Sequence, residues 1–497
     1  MGAGCNRPAE QADDTRPTFQ NVVVIVGDDH AAYALGCYGN ERIRTPNLDR
    51  LAARGMRFSR AYANAPLCSA SRQSILTSRY PHAAGVTLLR TSFPEEQHTL
   101  AEHLQARGYR TAVFGKTHFN NQRAHGFGTM VQRGAWRAYL EENPPAPIPD
   151  SIDTYGAWRP FRDPARIWLN AAAKPLPYRD EDMEDTYYAR RAAQFIEANR
   201  DQPFLVWVGF HNPHSPFNFP IEYREKYDPQ NMPVPEGSPE DDRWIPRIFK
   251  DLKEEEKRGI VAAYYTSVEH LDKNAGIVID QIDQLGLSDQ TLIVYIGDQG
   301  YLLGHHKRFE KHMMWEEAVR SPLIIRGGTA FGAGRHSEAL TEFIDLAPTI
   351  TDALEMEPMP EATGKSLWPV LTQQTDRHKE LVFSEFLVDN KAMVRGDRWK
   401  YIFSTGKRDL GQGYETGNPP PGITHRLYDL ENDPTESTNV AGRPENQKVL
   451  ADVQRAMLDL FRATYPGADT IPATLPVEEQ LVRFCVPPDV GAEIEAK

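Results

Sequence analysis

Four short apolar runs, each ending in reactive side chains and separated by helical periodicity, limit what this chain can fold into more than any other feature. Asn21–Gly27 (NVVVIVG) is β-branched without polar alternation, the pattern of a strand buried on both faces. Thr111–Gly115, Pro203–Phe210 (PFLVWVGF) and Thr291–Gly297 (TLIVYIG) follow suit. Between them, the TPNLDRLAARG stretch from Thr45 reads as a capped helix stopped at Gly55, and Thr99–Gly108 as another with a glycine stop. Glu184–Asn199 and Lys257–Leu285 read as longer helices. Strands alternating with helices predict an α/β fold, a large mostly parallel sheet flanked by helices.

The rest of the chain divides around that sheet. Residues 1–20 read as a disordered tether, 21–375 as a catalytic domain, 376–470 as a small α+β subdomain and 471–497 as a tail. Within the catalytic domain, 120–180 is rich in proline and aromatics (Trp136, Tyr139, Tyr155, Trp158, Trp168) with weak periodicity, and reads as an insertion over the sheet edge. After Leu371 the stretch TQQTDRHKE reads as a linker. The short runs Leu381–Phe386, Lys391–Val394 and Trp399–Phe403 predict an antiparallel sheet, and Val449–Tyr465 an amphipathic helix.

Composition excludes several function classes. With 56 Lys plus Arg against 69 Asp plus Glu, the net charge is −13, so general nucleic-acid binding by a basic surface is not expected. No apolar run approaches the roughly 18 residues of a spanning helix. The four cysteines, Cys5, Cys37, Cys68 and Cys485, include no CxxC pair, which argues against thiolate zinc and a disulfide framework. Gly2-Ala3-Gly4-Cys5 before a polar tether resembles the end of a bacterial lipoprotein signal. That resemblance implies lipidation at Cys5 and a periplasmic or cell-surface location, secretion being the alternative.

Ligands of parallel sheets sit beyond the carboxyl ends of strands. The four runs end in Asp28-Asp29, in Lys116 and His118, in His211 and His214, and in Asp298-Gln299. Three carboxylates plus a carboxamide oxygen form a hard ligand set that suits Ca²⁺ or Mg²⁺. Lys116, His118 and His214 would face an anionic substrate bridging to that metal, an arrangement that stabilises charge at sulfur or phosphorus. Cys68 opens a helix, where free N–H groups and the dipole favour anions and lower a thiol pKa. A small buried cysteine is the alternative reading.

The segment from Cys68 to Arg72 (CSASR) fits the C-x-[PA]-x-R signature of type I sulfatases, whose cysteine is oxidised to formylglycine. GYRTAVFGKTH (108–118) resembles that family's second signature, and Asp28-Asp29, TPNLDRLAARG, NPHSPF (212–217), DQG (298–300) and Lys311 with Trp315, Glu316, Glu317, Arg320 and Pro322 match its landmarks in order. The resemblance runs from about Asn21 to Asn439. It implies an alkaline-phosphatase-like fold and one divalent metal, usually Ca²⁺ with Mg²⁺ the alternative, held by Asp28, Asp29, Asp298, Gln299 and the modified Cys68. It implies further that formylglycine-68, hydrated, attacks sulfur; that His214 protonates the leaving alcohol; that Lys116 and Lys311 hold sulfate oxygens; that His118 deprotonates the second hydroxyl; and that Arg72 orients the formylglycine. A maturation enzyme that generates formylglycine is the implied partner.

Two positions depart from the commoner pattern: Ala70 replaces the usual proline, and Gln299 stands where Asn or His is frequent. For substrate, the expectation is a sulfated saccharide, with the 120–180 aromatics as stacking faces and His305, His306, Lys307 and Arg308 meeting a second anionic group. Two alternatives stay open: a phosphonate or phosphate monoester hydrolase of the same superfamily, and a non-catalytic sulfoglycan-binding protein if Cys68 is not matured.

Overall fold

The computed structural model describes residues 19–155, 169–243, 245–406 and 422–490. In chain order the main-sheet strands are β1 (Asn21–Gly27), β2 (Met56–Phe58), β3 (Arg110–Gly115), β4 (Thr129–Val131), β5 (Phe204–Gly209), β6 (Thr291–Gly297), β7 (Leu323–Gly327) and β8 (Arg335–Ser337). They lie side by side as β8-β2-β7-β6-β1-β5-β3-β4, and only β7 runs antiparallel to its neighbours. β1 is central and wholly buried, paired in parallel with β5 and β6.

The side-chain period of two splits β1 between two cores. Val22, Val24 and Val26 join one apolar cluster, and Val23 and Ile25 the other. The helices that cover these faces are α1 (Pro46–Ala53), α2 (Cys68–Thr77), α3 (Leu100–Gln105), α4 (Glu184–Ala198) and α5 (Glu254–Gln284). Ile75 and Leu76 of α2 and Leu100 and Leu104 of α3 pack on the first face; Leu48 and Leu51 of α1, Ala189 and Ala192 of α4 and Leu271 and Val278 of α5 pack on the second. Thr99 and Glu102 form a capping box at the start of α3. Asp272 on α5 caps α1 from outside, accepting from the Leu48 N–H at 2.8 Å. The start of α5 lies three residues before the expected Lys257, because Glu254, Glu255 and Glu256 supply the first-turn acids that suit a helix N-terminus.

The C-terminal sheet is antiparallel throughout: β9 (Val382–Phe386), β10 (Lys391–Arg395), β11 (Trp399–Ser404) and β12 (Thr424–Asp429). Against it pack α6 (Gln447–Thr464) and α7 (Val477–Phe484). The segment from 471, expected as a tail, is therefore corrected as far as it is described. Leu481, Phe484 and Cys485 are fully buried, the Phe461 and Phe484 rings stack at 5.3 Å, and Asp489 accepts from Thr87 N at 3.0 Å. The expected linker is also corrected, since Lys379 is gripped between Glu342 and Asp345, and His378 Nε2 lies 3.0 Å from Asp345.

Part of the expected insertion belongs to the sheet, because its residues Thr129–Val131 are edge strand β4. Helix Arg133–Glu142 then packs on α4 through Tyr139 and Tyr187, with rings 5.0 Å apart. Trp158 and Trp168 lie outside the described residues, as does Cys5 with its lipid-anchor expectation. Of the expected tether, Phe19 and Gln20 are described, and Phe19 is buried against Phe331 and Trp368. Among the described residues no helix is long and apolar enough to cross a membrane.

Lys379→Met is expected to cost about 3 kcal/mol of stability in a denaturant titration, because Glu342 and Asp345 stay buried without their cation. An unchanged transition would show that these carboxylates do not depend on it.

Candidate active site

The neighbours β6, β1, β5 and β3 end together, so the residues that follow them converge. Close approach of two of these ends demands glycine. A Cβ on Gly115, whose φ is +95°, would meet the Gly209 carbonyl at 2.1 Å, and one on Gly209 would meet the Lys116 carbonyl at 2.3 Å and Arg72 Nη1 at 3.0 Å. Asp29 also has a positive φ, +62°, uncommon for a residue with a side chain. Its backbone is held on both sides, by the Tyr264 hydroxyl on its carbonyl at 2.6 Å and by Asp298 Oδ1 accepting its N–H at 3.0 Å.

These constraints bring Asp28, Asp29, Asp298, Gln299 and Cys68 together, all nearly inaccessible to solvent. Lys311 Nζ donates to Asp29 Oδ1 at 2.6 Å and lies 2.8 Å from the Cys68 sulfur. Lys116 donates to Asp28 Oδ2. Arg72 Nε donates to Asp298 Oδ2 at 2.7 Å and its Nη1 to the Lys116 carbonyl at 2.8 Å. His214 Nε2 sits 3.7 Å from Asp29 Oδ2, and its Nδ1 lies 2.6 Å from the Ser215 carbonyl.

Three buried acceptor oxygens in this cluster have no hydrogen-bond donor: Asp28 Oδ1, Asp29 Oδ2 and Gln299 Oε1. Buried polar atoms rarely go unsatisfied. Hard oxygens left open beside one another fit a divalent cation, and Asp28, Asp29, Cys68 and His214 offer ligand atoms within 4.8 Å of each other. Electrostatics agree. Burial and the Asp28 charge push Asp298 well above the usual carboxylate range, and burial lifts Asp29 too, whereas Lys116, His214 and Arg72 overcome burial at Asp28 and hold it low. Arg72, Lys116 and Lys311 each pair with one of the three carboxylates, Asp298, Asp28 and Asp29 in turn.

Cys68 is the first residue of α2, a helix buried along all ten residues. Burial and Asp28 oppose ionisation of its thiol, yet Lys116, Lys311 and His118 together hold it well below its ordinary value. His118 is placed from α2, since Gln73 Nε2 donates to its carbonyl at 2.9 Å. Ser71 Oγ likewise holds the Asp298 carbonyl, at 2.5 Å. Sequence reading missed both placements, because nothing in the chain links Gln73 to a carbonyl 45 residues away. Asn212 was legible only as part of a motif; its carbonyl accepts the Asp28 N–H at 3.1 Å, joining β5's end to β1's.

Not every expected site residue faces this pocket. His306 is buried, stacked on Trp315 at 4.1 Å with its Nδ1 2.9 Å from Asp241, and Arg308 is buried in a pair with Glu310. Both are taken up by internal partners and are corrected as substrate ligands. His305 packs on Tyr33, ring centroids 4.5 Å apart. Trp136 and Tyr139, two of the aromatics read as sugar-stacking faces, contact Tyr178 and Tyr187. His211 pairs with Glu184 at 3.2 Å.

Residues 20–356 match the sulfatase family model, and 304–463 match the model described as N-sulphoglucosamine sulphohydrolase, C-terminal. Similar curated proteins include an N-acetylglucosamine-6-O-sulfatase of Bacteroides thetaiotaomicron, 27% identical over 93% of this chain and 88% of that protein. An ulvan-active sulfatase of Formosa agariphila is 29% identical over 88% of this chain and 80% of its own. Among solved structures, the phosphonate monoester hydrolase of Agrobacterium radiobacter superposes with a TM-score of 0.76 at 23% identity, covering 90% of this chain and 96% of that one. At that identity the likeness shows the fold.

Asp298→Asn is expected to weaken divalent-cation binding at least about tenfold in a calorimetric titration with Ca²⁺ as the titrant, since it removes one of the three carboxylates that the strand ends bring together. Unaltered affinity would take Asp298 out of the ligand set.

Proposed function

The chain belongs to the sulfatase family and is a sulfuric ester hydrolase, and we propose that it removes sulfate from a sulfated saccharide with position 68 as the nucleophilic centre. The observation that carries this reading is the pocket itself: two lysines, an arginine, two histidines and three orphaned oxygens gathered around the first residue of α2. The family implies a divalent metal and a formylglycine. Bound there, they would supply positive charge for the sulfate oxygens and a nucleophilic oxygen. Asp28, Asp29, Asp298 and Gln299 would hold the ion, for which Ca²⁺ is the proposed identity.

The chain's own side chains divide the remaining work. Lys116 and Lys311 bind sulfate oxygens from two sides and offset charge that grows as the S–O bond breaks. His214 has its side chain 35% exposed, and with Nδ1 committed to the Ser215 carbonyl, Nε2 is the atom that hands a proton to the leaving oxygen. His118 takes a proton at position 68. Arg72 touches Asp28, Asp298 and the Lys116 backbone together, so it fixes the relative position of metal ligands and substrate cation.

The saccharide assignment draws support from relatives named N-acetylglucosamine-6-O-sulfatase and ulvan-active sulfatase. A formylglycine-generating enzyme as maturation partner, and a periplasmic or surface location inferred from the Gly2–Cys5 run, belong to the same proposal. The test is to assay free sulfate from 6-sulfated N-acetylglucosamine and sulfated polysaccharide fragments, beside a matched phosphonate monoester. Faster release from the sulfate esters is expected; preference for the phosphonate would move the assignment to the sister chemistry.

Two variants test the roles. Cys68→Ala should abolish turnover and leave the thermal transition in place, so retained turnover would remove position 68 from the mechanism. His214→Ala should slow esters of poor leaving groups by about 10²-fold or more and activated aryl sulfates far less. Equal slowing of both would deny it the proton-donor role.

A further inference from the structure

Lys311 is followed by a residue in the left-handed region: His312 has φ +68°. Such backbone persists only where its surroundings fix it. Here the fixing groups come from the C-terminal sheet. Lys391 Nζ, with its side chain 2% exposed, donates to the His312 carbonyl at 3.0 Å and pairs with Asp389 at 3.0 Å. Phe386, the cross-strand partner of Lys391, stacks on the His312 ring at 5.0 Å and 21°, and Lys391 Nζ lies 5.2 Å over the same phenyl ring. His312 is thus gripped by its carbonyl and by its imidazole.

The grip is itself anchored. In the turn between β9 and β10, Asn390 donates from Nδ2 to the Cys485 carbonyl at 2.7 Å, tying the hairpin to the end of α7. One residue before the grip, the flexible stem of Lys311 must bring Nζ within 2.8 Å of the Cys68 sulfur and 2.6 Å of Asp29. Four rotatable bonds deliver an ammonium to one place only if the backbone below them is fixed. Burying a lysine is costly, and packing alone would be served by an apolar side chain; Asp389 balances the charge, and the ammonium also donates to the carbonyl of the residue that follows Lys311.

Resting on the sulfatase reading of Lys311, we propose that Lys391 is a positioning residue that aims Lys311 at the sulfate-binding centre by clamping His312, so that the C-terminal sheet completes the active site. Lys391 touches neither substrate nor position 68; it acts through Lys311.

The test is a double-mutant cycle on the full-length, Ca²⁺-loaded protein, with inorganic sulfate as the probe and calorimetric affinity as the readout. Lys391→Met is expected to weaken sulfate binding about tenfold when Lys311 is present and less than about twofold in the Lys311→Ala background. Equal losses in both backgrounds, or none in either, overturn the proposal, since a general structural effect would not depend on Lys311. If Lys391→Met does not fold, Phe386→Leu repeats the cycle with every charge kept, under the same criteria. Turnover of an aryl sulfate by the wild-type protein is scored separately. Sulfate binding without hydrolysis by protein whose position 68 is the aldehyde would sink the sulfatase reading, while the cycle would still decide the positioning role.

Discussion

Three carboxylates buried at the ends of adjacent strands are the constraint around which this protein is arranged. Asp28, Asp29 and Asp298 cannot remain ionised together in a low-dielectric interior unless positive charge stands among them. The chain brings Arg72 from α2, Lys116 from the end of β3 and Lys311 from the loop after β6, each directly on one of the three acids. A dication held among those acids would add positive charge to that of the three cations, the condition for gathering an anionic ester and stabilising charge at its leaving oxygen.

The sheet serves that electrostatic arrangement. A parallel order β6-β1-β5-β3 places four strand ends side by side, and glycines at 115 and 209 let backbone and Arg72 pass within contact distance. The Asn212 carbonyl on the Asp28 N–H and the Asp298 carboxylate on the Asp29 N–H then fasten the loops to one another. The C-terminal sheet is fastened to the same loops by buried charge. Lys400 of β11 lies 3.1 Å from Glu316 and 2.9 Å from Glu436, just beyond the segment that carries Lys311. Loss of either end of such a buried pair is costly, so the two sheets are coupled where the site is built.

What could be read from the sequence follows from how locally each feature is encoded. Long β-branched runs and capped helices carry their own period, so β1, β5, β6, α1, α3, α4 and α5 are legible near their observed bounds and α2 at its start, as is the placement of Asp28, Lys116, His214 and Asp298 at strand ends. The short strands β2, β4 and β8 were not, since three residues show no period and gain their identity from the strand beside them. Phe484 and Lys379 looked like tail and linker because only tertiary partners reveal burial. Likewise, His306 and Arg308 in the run of cations at 305–308 read as binding residues until Asp241, Trp315 and Glu310 are seen to take them up.

The central claim is that position 68, once an aldehyde, is the centre of sulfate ester hydrolysis. Mass spectrometry of the peptide containing Cys68, run on preparations expressed with differing amounts of a formylglycine-generating enzyme, tests it alongside the rate of sulfate release from each. The account predicts that the rate rises in proportion to the fraction of aldehyde at position 68 and vanishes where the thiol is intact. Sulfate release from a preparation whose Cys68 is entirely thiol would contradict it.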